Sequence, residues 1–326
     1  MSPSGRPSRS ASPSTQGSRP KQGERGPRPF RAGFVALVGR PNVGKSTLLN
    51  RLIGERMAIV SRRPQSTRTR ISGIAQLPDA QIVFVDTPGL HPSTGALDEL
   101  MQKTTDRALE DVDLVCWVTD ATPRSPDLDR ASLERFRGSS APVYCCLNKI
   151  DLVDSRARLL PIISAYQALF PFAEIVPMSA EDGTNCDRLV KLVVATLPER
   201  PAYFPLDTIT DQPETFYVAE VVREQIFHMT HQEVPYACAV QVNELVERKR
   251  PECLYIRARI FVEHDSQKGI VIGKGGAMLK RIGAAARREL ERFFGIKVYL
   301  DLTVQVRRNW RRDEKALKEL GFLLTS

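Results

Sequence analysis

Phe34-Val35-Ala36-Leu37-Val38-Gly39-Arg40-Pro41-Asn42-Val43-Gly44-Lys45-Ser46 is the stretch on which the reading of the fold turns. Five apolar residues in a row mark a strand buried on both faces. Gly39 to Ser46 then spells GxxxxGKS, and Leu48, Leu49, Leu52 and Ile53 follow at helical spacing. Strand, glycine loop and helix in that order are the context a phosphate loop requires. The glycines let backbone N–H groups converge on phosphate oxygens at a helix N-terminus. Lys45 is placed to reach the β- and γ-phosphates, and the Ser46 hydroxyl to ligate magnesium.

Outward from this stretch, short apolar runs recur at Ile82–Val85, Leu114–Val118, Val143–Leu147 and Ile175–Val176. Helical patterns separate several of them, around 128–136, 159–169 and 189–197. The alternation predicts an α/β domain, a mostly parallel sheet with helices on both faces. Three of the runs end in polar boxes. Asp86-Thr87-Pro88-Gly89 puts an acid at a strand end, ready for a magnesium shell, with the Gly89 N–H near a γ-phosphate. Asn148-Lys149-Ile150-Asp151 puts a carboxylate where it can accept from both N1–H and the exocyclic amine of guanine. Adenine offers no such pair, and a site built to pair buried hydrogen bonds discriminates strongly against the base lacking them. Ser179-Ala180-Glu181 follows the last run, where a backbone N–H can meet the guanine oxygen.

These four boxes, in this order and at these strand ends, resemble the translation-factor-related P-loop GTPases over residues 33–197. The resemblance implies GTP or GDP contacts at Gly39, Asn42, Val43, Gly44, Lys45, Ser46, Thr47, Asp86, Thr87, Pro88, Gly89, Asn148, Lys149, Asp151, Ser179, Ala180 and Glu181. It implies magnesium at Ser46, Thr67 and Asp86, and catalytic roles for Lys45, Thr67, Asp86 and Gly89. Thr67 enters because Gln65-Ser66-Thr67-Arg68-Thr69 sits where the family keeps switch I; Ser66 and Thr69 remain alternatives. One departure stands out. Leu90 occupies the position where Ras-like relatives carry a water-orienting glutamine, so catalysis has to come from elsewhere and turnover is expected to be slow. Asn42 matches a phosphate-loop asparagine that helps bind potassium in several relatives.

Residues 200–213, with Pro201, Pro205 and Pro213, read as a linker between a nucleotide domain at 32–199 and a second unit at 214–326. There a helix over Phe216–Met229 precedes a strand over Cys238–Val246 and two strictly alternating strands, 254–262 and 298–306. Between the last two lies Ile270-Val271-Ile272-Gly273-Lys274-Gly275-Gly276, an apolar turn and a GxxG loop. A basic helix with Lys280, Arg281, Arg287, Arg288 and Arg292 follows, to about Phe294. This is the order of a type II KH domain, an α+β fold whose GxxG backbone clamps about four nucleotides. The contacts implied for RNA are Ile272, Gly273, Lys274, Gly275, Gly276, Lys280 and Arg281. Both halves together, residues 33–322, resemble the Era family of GTPases. That resemblance implies binding to the 3′ end of 16S ribosomal RNA, work on the 30S subunit in assembly and rRNA maturation, and a cytoplasmic monomer touching the inner membrane surface peripherally.

Charge and composition agree. The 326 residues carry a net charge of +9, with a surplus of six in residues 1–31, a deficit of three in 32–214 and a surplus of six in 215–326. Basic ends suggest a polyanionic partner, either nucleic acid or an anionic membrane. No apolar run is long enough for a transmembrane helix, and the start lacks the apolar core of a secretory signal. The six cysteines show no CxxC spacing, which weighs against a zinc knuckle and fits a reducing compartment. Residues 1–31 are rich in Ser, Pro and Arg and read as a disordered tail; the same composition also fits an organelle transit peptide. Competing readings are a membrane-signalling GTPase and an RNA chaperone that binds nucleotide without turnover.

Overall fold

A computed structural model of the chain describes residues 29–60, 67–90, 95–123, 125–249 and 252–322. The tail up to residue 28, and Gln65 and Ser66 of the motif segments, lie outside the described residues. Arg31, read from composition as the end of the tail, instead opens a strand. It pairs with Ala80, and its guanidinium donates to the Ala195 and Leu197 carbonyls at 3.0 and 2.6 Å. A cation there meets carbonyls left over at a helix C-terminus.

The first domain is a six-stranded sheet of β1 (Arg31–Val38), β2 (Ile71–Leu77), β3 (Ala80–Asp86), β4 (Leu114–Asp120), β5 (Val143–Asn148) and β6 (Glu174–Pro177). The order is β2-β3-β1-β4-β5-β6, parallel throughout except for β2. β2 is missed by the periodicity, because Ser72, Gly73 and Gln76 break its apolar pattern. Helices α1 (Lys45–Ile53), α2 (Ala96–Glu110), α3 (Ser125–Leu133), α4 (Leu159–Leu169) and α5 (Cys186–Thr196) flank it. α2 also escaped the sequence reading: the residues it buries are Met101, Thr105 and Ala108, too small and polar a stripe to stand out. Leu48, Leu49, Phe84 and Leu189 pack in one core layer, and Trp117, Leu147, Ile162 and Tyr166 in the other. The loops leaving the C-terminal ends of β1, β3, β5 and β6 converge on one edge, the position where open α/β sheets bind ligands.

The second domain contains α6 (Glu214–Met229), α7 (Val234–Ala237), β7 (Ala239–Lys249), β8 (Glu252–Val262), α8 (Asp265–Ile272), α9 (Ala277–Phe294), β9 (Val298–Val306) and α10 (Glu314–Glu319). Its sheet runs β7-β8-β9, with β8 parallel to β9. Ile270–Ile272, read as an apolar turn, form the last turn of α8, whose N-terminus is closed by a capping box between His264 and Gln267. Tyr217 of α6 stacks on Phe293 of α9 with ring centroids 3.9 Å apart, joining the two long helices over the sheet.

The proline-rich connector is bound to the first domain. Ile74 N–H donates to the Ile209 carbonyl at 2.9 Å, and Gln81 accepts from Tyr203 N–H and donates to the Phe204 carbonyl. The domains also touch directly. Buried Arg68 donates to the carbonyls of Pro235, Tyr236 and Cys238 around the end of α7. Glu224 of α6 accepts from Val60 N–H and pairs with Arg56 at 3.0 Å.

Candidate functional site

The phosphate loop is shaped by glycines that no other residue can replace. A β-carbon on Gly44, at φ +103°, would lie 2.3 Å from the Asn148 amide nitrogen. One on Gly89 would lie 2.8 Å from Pro41 N. The loop and the Asp86-Thr87-Pro88-Gly89 turn are therefore in backbone contact, and Leu90 N–H donates to the Gly39 carbonyl at 3.1 Å.

Lys45 is buried at the first turn of α1. Its ammonium donates to the Gly39 and Arg40 carbonyls at 3.0 Å each. Burial pushes it down to about 8, against the opposing pull of Asp86. Beside it Ser46 Oγ donates to Asp86 Oδ2 at 2.7 Å and lies 2.9 Å from Thr67 Oγ1, which donates to the same oxygen at 3.2 Å. Asp86 is fully buried, its pKa raised by that burial, and among the described residues its other oxygen has no hydrogen-bond partner. Two hydroxyls and an unsatisfied carboxylate oxygen form an all-oxygen donor set of the kind magnesium takes. Of the switch I candidates among the described residues, Thr67 and Thr69, it is Thr67 that lies in this cluster; Ser66 lies outside them.

Asn148 joins the phosphate and base regions. Its amide donates to the Val43 carbonyl and its oxygen accepts from Ala180 N–H, both at 2.8 Å. Lys149, at φ +63°, reaches the Asn42 carbonyl at 2.5 Å. A cavity of about 930 Å³ opens over these loops, large enough for a nucleotide. Asn42, Gly44, Lys45, Ser46, Thr47, Thr67, Gly89, Asn148, Lys149, Asp151, Ala180 and Glu181 line it. Thr87, Pro88 and Ser179 are set behind the wall: the Thr87 hydroxyl donates to the Leu37 carbonyl at 2.9 Å, and the Ser179 oxygen accepts from Asp182 N–H at 3.3 Å. The periodicity could not show that Ile59, Val60, Phe227 and His228 complete the cavity, the last two from the second domain. Nor could it show Asn50, whose side chain fixes Met57 and Ala58 by three hydrogen bonds of 2.8 Å.

In the second domain Gly273 (φ +73°), Gly275 (φ +59°) and Gly276 (φ +79°) form a left-handed turn between α8 and α9. A β-carbon on Gly273 would strike Met278 at 2.8 Å, whereas Gly275 and Gly276 face open space. Lys274, Lys280 and Arg281 are exposed around the turn and Ile272 is half-buried beneath it. This is a basic, backbone-exposed edge suited to a sugar-phosphate chain.

Comparisons with known proteins fall on the same two regions. Residues 34–149 match a family described as 50S ribosome-binding GTPase, and residues 233–311 match the KH domain. The chain is 50% identical over 294 residues to the GTPase Era of Geobacter metallireducens, covering 90% of this chain and 98% of that protein. It is 49% identical over 292 residues to the GTPase Era of Lactobacillus delbrueckii subsp. bulgaricus, covering 90% and 96%. Among solved structures, a variant of Aquifex aeolicus Era bound to GDP·AlF4⁻ superposes with a TM-score of 0.85 at 39% identity, covering 90% of this chain and all of that one. An Era complex with MgGDPNP and nucleotides 1506–1542 of 16S ribosomal RNA gives a TM-score of 0.86 at 39% identity, with the same coverage.

Proposed function

The chain belongs to the Era family of GTPases, and on that premise we propose that it hydrolyses GTP and binds the 3′ end of 16S ribosomal RNA through its KH domain, in assembly of the small ribosomal subunit. One observation carries the enzymatic half: the Ser46–Thr67–Asp86 cluster with its unsatisfied carboxylate oxygen, beside Lys45 and under a nucleotide-sized cavity. The RNA half is supported by the exposed, basic glycine turn, and by the RNA fragment held in the related Era complex.

Magnesium held by Ser46, Thr67 and Asp86 would neutralise charge on the β- and γ-phosphates. Lys45 adds a fixed positive charge on the same oxygens, and the N–H groups at the start of α1 add the helix dipole. The attacking water is not oriented by residue 90. Leu90 is only 9% exposed and packs among Ala36, Val115 and Leu133, its N–H already committed to Gly39. We expect Leu90→Ala to keep turnover within about tenfold of the wild type, while Asp86→Ala and Lys45→Ala lose it by about a hundredfold or more. Phosphate release at saturating GTP, on variants with intact thermal melts, decides the matter; equal losses in Leu90→Ala and Asp86→Ala would contradict the assignment. Exchange of sodium for potassium, if Asn42 holds that cation, should raise the rate in the same assay.

Lys45 also ties nucleotide affinity to pH. Below pH 8 its amine is protonated with or without nucleotide, and affinity should be flat. Above pH 8 the free protein loses the proton, which bound phosphates restore, so binding takes one proton up. Affinity is then expected to fall by up to about tenfold per pH unit from there. Titration calorimetry in two buffers of different ionisation heat counts that proton; zero uptake at pH 9 would mean that the buried Lys45 amine keeps its proton without nucleotide, and the pH dependence would be absent.

Peripheral attachment to the inner membrane surface is supported by the basic surplus at both ends of the chain. Among the described residues no helix is long and apolar enough to cross a membrane. Competition between RNA and anionic liposomes for the full chain separates the two polyanions.

A further inference from the structure

The reading of residues 179–181 as the guanine-facing loop leaves open which N–H meets the base, and what aims it. Ala180 N–H, the obvious donor, is occupied: it donates to Asn148 Oδ1 at 2.8 Å. Asp182 N–H turns back to Ser179 Oγ at 3.3 Å, and Ser179 N–H to the Thr184 carbonyl at 3.0 Å. Among the described residues Glu181 N–H has no hydrogen-bond partner, and Glu181 lines the nucleotide cavity. On the other side of the loop stands Arg51, from the last turn of α1. Its Nε donates to the Ala180 carbonyl at 3.1 Å and its Nη2 to the Glu181 carbonyl. The Ala180 carbonyl and the Glu181 N–H belong to one planar peptide unit and point in opposite directions. A guanidinium that grips the carbonyl on the outer side therefore fixes where the N–H points on the inner side. Arg suits this task, since its fork of donors is rigid and stays charged.

Resting on the reading of this pocket as a guanine site, we propose that Arg51 is a positioning residue for base recognition: it holds the 180–181 peptide so that the Glu181 N–H is presented to the guanine 6-oxygen. Arg51 is not among the residues that line the nucleotide cavity. It sits one residue after Asn50, which anchors Met57 and Ala58, so the last turn of α1 fixes the base loop and the segment that follows α1 together.

The test uses the full chain and three nucleotides: GDP, 6-thio-GDP, whose sulfur is a poor acceptor at the 6-position, and XDP, altered on the edge facing Asp151. The wild type should bind GDP more tightly than either analogue. Arg51→Ala should weaken GDP about tenfold, the scale of one hydrogen bond to a charged group. It should bring the GDP to 6-thio-GDP ratio close to one while leaving the GDP to XDP ratio as it was. Arg51→Lys, which keeps the charge but not the fork, should recover part of the lost ratio. Because the Arg51 side chain is exposed, the variants are expected to melt like the wild type. The proposal is overturned if Arg51→Ala retains the wild-type 6-thio-GDP discrimination, whether or not overall affinity falls, since a merely structural arginine would weaken all three nucleotides alike. A wild type that does not prefer GDP over XDP would remove the guanine reading itself, a failure visible before any variant is made.

Discussion

Asp151→Asn is expected to weaken GTP by at least about a hundredfold and to make XTP the better ligand. On the proposed reading the carboxylate would replace two solvent hydrogen bonds of the base with two charge-assisted ones, whereas an amide can accept only one of them while presenting a donor to the other. Left facing the exocyclic amine of guanine, that donor has no partner, and an unpaired polar group on each side is worth more than the lost bond alone. Xanthine carries an oxygen at the same place and accepts from the new amide. The side chain is exposed in the open cavity and lies in a 3-10 turn over Ile150–Leu152, so its replacement should leave the fold untouched. Equilibrium titration with both nucleotides reads the result; unchanged GTP affinity would mean that the Asn148–Asp151 turn does not face a base.

The second large effect is expected in the other domain. The double change Lys274→Asp with Gly275→Asp should abolish binding to the 3′ end of 16S ribosomal RNA, a loss of about a thousandfold, with GTP affinity intact. Two effects add. A lysine-to-aspartate change turns an attraction for the phosphate chain into a repulsion. The residue-275 side chain would also point into space that the structure leaves open, where the backbone has to approach the sugar-phosphate. Aspartate is among the residues that tolerate the left-handed φ of +59° at this position, so the loop itself should survive. Lys274→Gln alone should act mildly, weakening all RNAs alike and lowering the salt slope by about one. One RNA titration and one GTP titration on the same melt-tested protein give the outcome, and undiminished RNA affinity would move the nucleic-acid site to another face.

What the sequence made legible follows from the physics of the elements. Phosphate and base loops are short, contiguous and built from residues with few substitutes, so Gly39 to Ser46 and Asn148 to Asp151 announce themselves. The same holds for Gly273 to Gly276. Elements whose stability comes from neighbours are silent: β2 is an edge strand interrupted by Gly73, and α2 buries threonine and alanine. Contacts between distant segments are silent as well. Nothing near Arg51 predicts that it reaches Ala180, 129 residues on, and nothing near Phe227 or His228 predicts that they wall the nucleotide cavity. Thr67 is an intermediate case. Resemblance singled it out from Ser66 and Thr69, and its hydroxyl is found 2.9 Å from Ser46.

The connector between the domains has a bearing on protein solubility. β2 ends the sheet, and an edge strand offers unpaired N–H and C=O groups to any passing strand. Here the chain covers its own edge: Ile74 N–H is taken by the Ile209 carbonyl, the Ser72 carbonyl by the Thr210 hydroxyl at 2.6 Å, and the Gln76 amide by the Pro205 and Thr208 carbonyls. Proline in this covering strip contributes no backbone donor of its own, so the strip seals the edge without creating a fresh template. A GTPase fragment cut at residue 199, the boundary the composition suggests, would strip that seal and is set to self-associate through β2. A cut after residue 212 keeps it.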